Sequence, residues 1–301
     1  MTEATPDTPG PEANMQGRPK RRSQAAYIWR RFRKNRLAVI GLGIIVTLVL
    51  VAVFADFIAD YQTKVIKMNI PIRHQHPSLE HVFGTDEFGR DMFARVAHGT
   101  RISLFVGVIS VSIALFFGGT LGAIAGYYGG RIDTYIMRFL DVLLAIPVIL
   151  LAITIVASLG TSIINLMIAV GVANIPGFAR VVRASVLGVK GNEYIEAARA
   201  IGSPDYKIIL EHVLPNCFAP IMVYATLKVA TAIMATAGLS FIGLGVKPPT
   251  PEWGSMLAAG RGFIRDHLHE VFFPGLAIML SVLSLNMIGD GLRDALDPRL
   301  K

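Results

Sequence analysis

The stretch Glu193-Tyr194-Ile195-Glu196-Ala197-Ala198-Arg199-Ala200-Ile201-Gly202-Ser203-Pro204-Asp205-Tyr206-Lys207-Ile208-Ile209-Leu210-Glu211-His212-Val213-Leu214-Pro215 is a polar island between long apolar runs. Good helix formers around Glu196-Ala197-Ala198 predict a short helix over 193–201, and Gly202-Ser203-Pro204 stops or redirects it. A second short helix over 205–214 can start at Ser203, with Pro204 in its first position. A charged helix–turn–helix of this kind cannot sit among lipid tails and must project from a membrane.

The flanks supply that membrane. Hydrophobic residues make up 53% of the 301-residue chain and charged residues 17%, against about 25% charged in an ordinary soluble domain. Mean hydropathy is +0.54. The predicted fold class is an all-α membrane protein with six transmembrane helices in one domain. The spans are expected near 37–55, 102–127, 136–159, 163–182, 216–239 and 271–292. The first is long enough to cross ~30 Å of hydrocarbon at ~1.5 Å per residue. Asn174, Pro176 and Gly177 interrupt the fourth, so a bent helix is expected there.

Charge sets the orientation. The formal net charge is +8, and nine Lys or Arg residues with no acid lie between Arg18 and Arg36, just before the first span. That position holds a segment in the cytoplasm, and it argues against a nucleic-acid partner. With the N-terminus inside, the inner segments hold nineteen Lys or Arg and the outer ones nine, which puts both termini and the island in the cytoplasm. Residues 1–22 read as a disordered cytoplasmic tail. Residues 23–36 read as a basic amphipathic interfacial helix, with Tyr27, Ile28, Trp29 and Phe32 among Arg30, Arg31, Arg33 and Lys34 against anionic membrane lipid. Residues 37–301 form the transmembrane domain, with an external loop over 60–101 and a cytoplasmic loop over 180–214. The first 36 residues contain no apolar core of a cleavable signal, and the single Cys217 excludes an internal disulfide framework.

In the island, Glu196-Ala197-Ala198, then Gly202, then Leu214-Pro215 resembles the EAA loop of permease subunits of binding-protein-dependent ABC importers. His212 stands where that pattern usually has Ile. Three further stretches narrow the resemblance. Phe83-Gly84-Thr85-Asp86-Glu87-Phe88-Gly89-Arg90-Asp91 leads through Gly99-Thr100-Arg101-Ile102-Ser103-Leu104 into the second span. Gly243-Leu244-Gly245 and Pro248-Pro249-Thr250-Pro251-Glu252-Trp253-Gly254 follow the fifth. Gly289-Asp290-Gly291-Leu292-Arg293-Asp294-Ala295-Leu296-Asp297-Pro298 closes the chain. From Arg33 to Leu300 the sequence is similar to the C-type permease subunit of dipeptide, oligopeptide and nickel ABC importers. The resemblance implies the type I importer permease fold and a bacterial cytoplasmic (inner) membrane location. The partners it implies are a second, B-type permease, two ATPase subunits and an extracytoplasmic binding protein or lipoprotein. It makes the first short helix a coupling element docked on an ATPase, with Glu196, Ala197, Ala198, Gly202, Leu214 and Pro215 as coupling residues. No cofactor is expected on this chain, since ATP and Mg act at the ATPase subunits.

Other residues invite sharper readings. In Gly84–Asp91 the glycines permit turns and the acids offer caps, while the terminal Glu of an EF-hand is missing. Pro248–Trp253 is stiff, amphipathic and interfacial, suited to a re-entrant loop below a docked binding protein or to simple anchoring. Asp290 and Arg293 fall three apart on a helix and can pair. Asp141 can pair with Arg138, and no second central Asp completes an intramembrane aspartyl protease. Lys228 falls near the middle of the fifth span, where an ionisable residue faces a cavity or a partner. Lys228 and Thr236 are candidate pore-lining residues. Lys228 either biases the path towards carboxylate-bearing substrates or pairs with the second permease. His74, His76, His81, His267 and His269 lie in external segments; solvated loop histidines are expected, and no metal site.

No Gly-Lys dipeptide, His-Glu-x-x-His or Gly-x-Ser-x-Gly occurs, so no phosphate loop or hydrolase motif is present and the chain is not expected to be an enzyme. The expected function is half of the pore of an ATP-driven importer of di- or oligopeptides, working by alternating access. Nickel or a glutathione-type substrate in the same family is the alternative. A secondary transporter without ATPases is the alternative from another class, and it would be expected to show repeat symmetry.

Overall fold

The computed structural model describes residues 24–296; the expected tail over 1–22 and the last residues of the closing motif, Asp297 and Pro298, lie outside them. The helices are α1 (Gln24–Phe32), α2 (Arg36–Val53), α3 (Ala55–Ile58), α4 (Met92–Tyr128), α5 (Gly130–Leu144), α6 (Val148–Leu159), α7 (Ile163–Val189), α8 (Glu193–Ala200), α9 (Asp205–Lys207), α10 (Leu214–Phe241), α11 (Trp253–Gly260) and α12 (His269–Leu296). Five helical runs are long and apolar enough to cross a membrane, and α5 with α6 passes the same test as a pair bent by 85°.

That bend corrects the third span, expected as one helix over 136–159. Pro147 has no N–H to continue the ladder, and α6 restarts after it. Twelve residues of α6 reach only ~18 Å at ~1.5 Å per residue, so the crossing depends on α5 as well. The fourth span is one continuous helix through Pro176. The helix that carries the second span starts at Met92, ahead of the span expected over 102–127, because Asp91 accepts the Ala94 N–H at 2.8 Å and caps it there.

Glycine decides the principal contact. Gly118, Gly122 and Gly126 stand four apart on α4, and a Cβ on them would meet Ile175 O, the Ala179 backbone and Val186 in turn. Ascending numbers meet ascending numbers, so α4 and α7 run parallel with their backbones touching. Lipid tails give packed helices no hydrophobic drive, and close approach over small residues replaces it. On the other side, a Cβ at Gly41 of α2 would strike Met287 and Ser284 of α12. The α1 helix packs on the end of α12: Phe32 is buried with Ala38 and Ala295, and only Tyr27 and Trp29 keep the exposed aromatic faces expected at headgroup level.

At the end of the bundle opposite the island, residues 54–91 and 242–268 fold into a cap. Trp253 is fully buried and donates Nε1–H to Val96 O at 3.1 Å, so it is an internal wedge and not an interfacial anchor. Glu252, 1% exposed, accepts the Gly254 and Ser255 N–H groups and caps α11. Burial pushes its carboxyl above the usual range, against those two hydrogen bonds. Asp86 pairs with Arg90 at 2.7 Å and with Arg95 at 3.4 Å, all three buried. Two expected pairs are replaced. Asp141 binds Arg180 of α7 at 2.7 Å rather than Arg138. At the far end, among the described residues, Asp294 takes a hydrogen bond from Asn35 at 3.0 Å while Asp290 and Arg293 form no ion pair.

Candidate functional site

The island folds against the ends of α4 and α7. Helix α8 has Glu193 and Glu196 in its first turn and Arg199 in its last, charges that suit the helix dipole. Ile195 and Ala198 are buried against Ala123, Tyr127, Val182, Val186, Ile208 and Val213. Ala198, expected at the coupling contact, is thus part of the seat of the helix, while Glu196, Ala197 and Gly202 are exposed.

Gly202 terminates α8. Its N–H donates to Arg199 O at 2.9 Å and the Ser203 N–H to Ala198 O at 3.1 Å, the paired bonds of a Schellman cap. Gly202 has φ +77° and open space around it. A side chain there is opposed by backbone conformation, not by crowding.

The second half of the island differs from the expected separate helix. Helix α9 passes through a π turn, Ile208–Val213, directly into α10, giving one helical run from Asp205 to Phe241. Pro215 lies in the first turn of α10; the wide π turn before it accommodates the missing N–H and the ring. The fifth span and the second half of the island are consequently one helical run.

Polar side chains tie this run to α4. Tyr127 donates to Asp205 Oδ1 at 2.7 Å and accepts from Arg199 Nε at 3.4 Å. The Arg199 guanidinium also lies over the Tyr127 ring, 4.9 Å from its centroid. Lys190 Nζ donates to Gly126 O and Tyr127 O, both at 3.2 Å, closing the end of α4. Tyr194, Ile201 and Tyr206 are exposed on the island, as are Glu196 and Ala197, with Ile201 at 83%, while Leu210 lines a cavity with Phe116, Gly119 and Phe218. Reasoning from sequence passed over these three; the available signal was large apolar residues inside a polar island.

Along α10, Lys228 is half-buried, its Nζ 5.4 Å from the Tyr224 ring centroid. Among the described residues no carboxylate pairs with it. Thr231 and Ala235, three and seven residues on, line a cavity of about 320 Å³ with Val148, Ile149, Ala152 and Val170. Thr236 is 1% exposed inside the bundle. It lines no surface of this chain, and Thr231 and Ala235 occupy the face expected of it.

Of the five histidines expected to be solvated, only His76 is exposed; the others are partly or fully buried or paired. His81 pairs with Asp91 at 2.8 Å, and His74 with Glu270 at 2.6 Å. His76, His267 and His269 gather beside them. Burial, then the neighbouring His74 and His76, holds the His267 pKa below its usual value.

In the solved inward-facing MetNI methionine ABC transporter, one chain is similar to this fold, with a TM-score of 0.56 at 18% identity, covering 68% of this chain and 98% of that one. Residues 118–301 match the binding-protein-dependent transport system inner membrane component family, and the chain belongs to it. Residues 23–77 match the N-terminal TM domain of oligopeptide transport permease C. The dipeptide transport system permease protein DppC of Alkalihalophilus pseudofirmus is 51% identical over 91% of this chain and 89% of that protein. The glutathione transport system permease protein GsiD of Escherichia coli is 48% identical over 91% and 90%. The chain is a multi-pass permease subunit of an ABC importer.

Proposed function

We propose that the chain forms half of a pore for small peptides and that α8 carries the movement of the ATPases into it. The tie of Tyr127 to Asp205 and Arg199 carries this reading, because one side chain joins α4 to α8 and to the start of the α9–α10 run. The exposed Tyr194, Ile201 and Tyr206 form the apolar part of the docking face, together with Glu196, Ala197 and Gly202. This puts the island and both termini in the cytoplasm and the cap outside, below a docked binding protein. ATP and Mg belong to two partner ATPases, the other half of the pore to a homologous permease, and the chain itself performs no catalysis.

The relatives' names, a dipeptide and a glutathione system, support a peptide substrate. Lys228 supports one bearing a carboxylate, since among the described residues no acid pairs with it and it shares a helix face with Thr231 and Ala235.

The test is peptide-stimulated ATP hydrolysis by the reconstituted complex with wild-type chain and with Gly202→Asp. Loss of stimulation with the complex still assembled is expected, because a side chain and a negative charge at φ +77° strain the αL cap that ends α8 and oppose the negative end of its dipole. Full stimulation in the variant would remove the coupling role from this loop.

A further inference from the structure

Three histidines from distant parts of the chain meet in the cap. His76 comes from the segment after the 3-10 turn Ile70–Ile72, His267 from the connector behind α11, and His269 from the first position of α12. One ring nitrogen of each lies within 4.8 Å of the other two. Ring centroids are 5.6 Å apart for His76–His267, 5.6 Å for His76–His269 and 6.1 Å for His267–His269.

Their surroundings do what the shell around a metal does. His267 Nδ1 is buried and has no hydrogen-bond partner among the described residues, a costly state for a ring nitrogen unless something else takes its lone pair. His269 Nε2 lies 3.2 Å from Thr85 O. A carbonyl only accepts, so this nitrogen carries the hydrogen, and in the neutral ring Nδ1 keeps the lone pair. His74 braces the group from behind. Its ring stacks on His267 at 4.5 Å and 11°, and its Nδ1 binds Glu270 Oε1 at 2.6 Å. Its backbone is left-handed at φ 57°, and its N–H donates to Asp86 O at 3.1 Å. Left-handed backbone in a non-glycine residue persists where its surroundings over-determine it.

We propose that His76, His267 and His269 bind one divalent transition-metal ion of the zinc type. Imidazole nitrogens suit such ions, whereas calcium and magnesium need oxygen ligands. Zinc holds histidine nitrogens at ~2.0–2.1 Å, about 3.4 Å from one another in a tetrahedron. Closing the site therefore takes a shift of about an ångström, which the exposed His76 can make. Three protein ligands leave a fourth position for water or a group from a docked partner. The ion staples the loop carrying His76 to the start of α12, and this holds whatever the pore carries.

The assay is zinc binding by the purified full complex, stripped with chelator and titrated with Zn²⁺ against a chromophoric competitor. One zinc site should be present with the wild-type chain, and His76→Ala and His267→Ala should each weaken it at least tenfold. His81→Ala, removing a histidine already paired to Asp91, should leave it unchanged. His76→Ala keeps the test decisive should His267→Ala misassemble, because His76 is exposed. Zinc uptake identical in wild type and His76→Ala, or no uptake by the wild type, would overturn the site. Displacement of the zinc by equimolar Mg²⁺ would overturn the assignment of ion class.

Discussion

Tyr127, in the last turn of α4, donates its hydroxyl hydrogen to Asp205 Oδ1 at 2.7 Å, joining the end of the second span to the start of the helical run that becomes the fifth. A hydrogen bond to a carboxylate contributes about 1.5–3 kcal/mol. Arg199 adds a donor and a cation over the same ring. One phenol thus connects three elements.

Tyr127→Phe keeps the ring and removes the bond. Thermal stability of the complex should fall modestly, and transport per ATP hydrolysed should drop several-fold while assembly persists. An unchanged transport-to-hydrolysis ratio would mean that this contact supports the fold without transmitting motion.

Gly122→Ala tests the α4–α7 contact. The added Cβ meets the Ala179 backbone, which cannot move like a side chain, so a destabilisation of roughly 1–3 kcal/mol is expected. Gly119→Ala, where a Cβ lies 3.8 Å from Leu115 Cδ1, should change stability by no more than ~1 kcal/mol. Equal melting temperatures for the two variants would contradict the close parallel packing.

Lys228→Met removes the cationic side chain of α10. Uptake of an acidic dipeptide should fall several-fold relative to a basic one, and Lys228→Arg should restore most of the difference. If the ratio stays constant while the two permeases separate more readily, Lys228 instead pairs with the second permease.

The buried Glu252 carboxyl has a pKa raised by burial, so the folded protein binds its proton more tightly than the unfolded chain does. Stability from this group is therefore present at low pH and declines as pH rises from the ordinary carboxylate range to the raised value. Melting temperatures across that window should slope downward for wild type and less steeply for Glu252→Gln. Parallel slopes would show that Glu252 does not titrate there.

All six apolar runs were legible, because a bilayer demands about twenty apolar residues in a row whatever they pack against. Hydropathy could not register Pro147, since it judges polarity and not the missing N–H that bends the third crossing by 85°. The island was legible for the complementary reason: its charges cannot stay in lipid. Gly202 and Pro204 announced its turn through local backbone chemistry.

Facing was not legible. Thr236 and Ala235 are neighbours on α10, yet one is buried against the bundle and the other lines the cavity; the rotation of that helix is set by its contacts with α4, α7 and α12. Trp253 could read as an interfacial anchor until Val96 received its N–H. Asp141 had Arg138 at a workable spacing, but the neighbouring helix offered Arg180 at 2.7 Å. His76 and His267 are separated by most of the chain, and no local spacing announces their meeting. By itself the sequence determined which segments enter lipid, where the coupling turn falls and which family the chain resembles, because these depend on composition and on residues close in sequence. Only the tertiary structure decided which faces are buried, which charges pair and which histidines gather, because those depend on how helices rotate and approach one another.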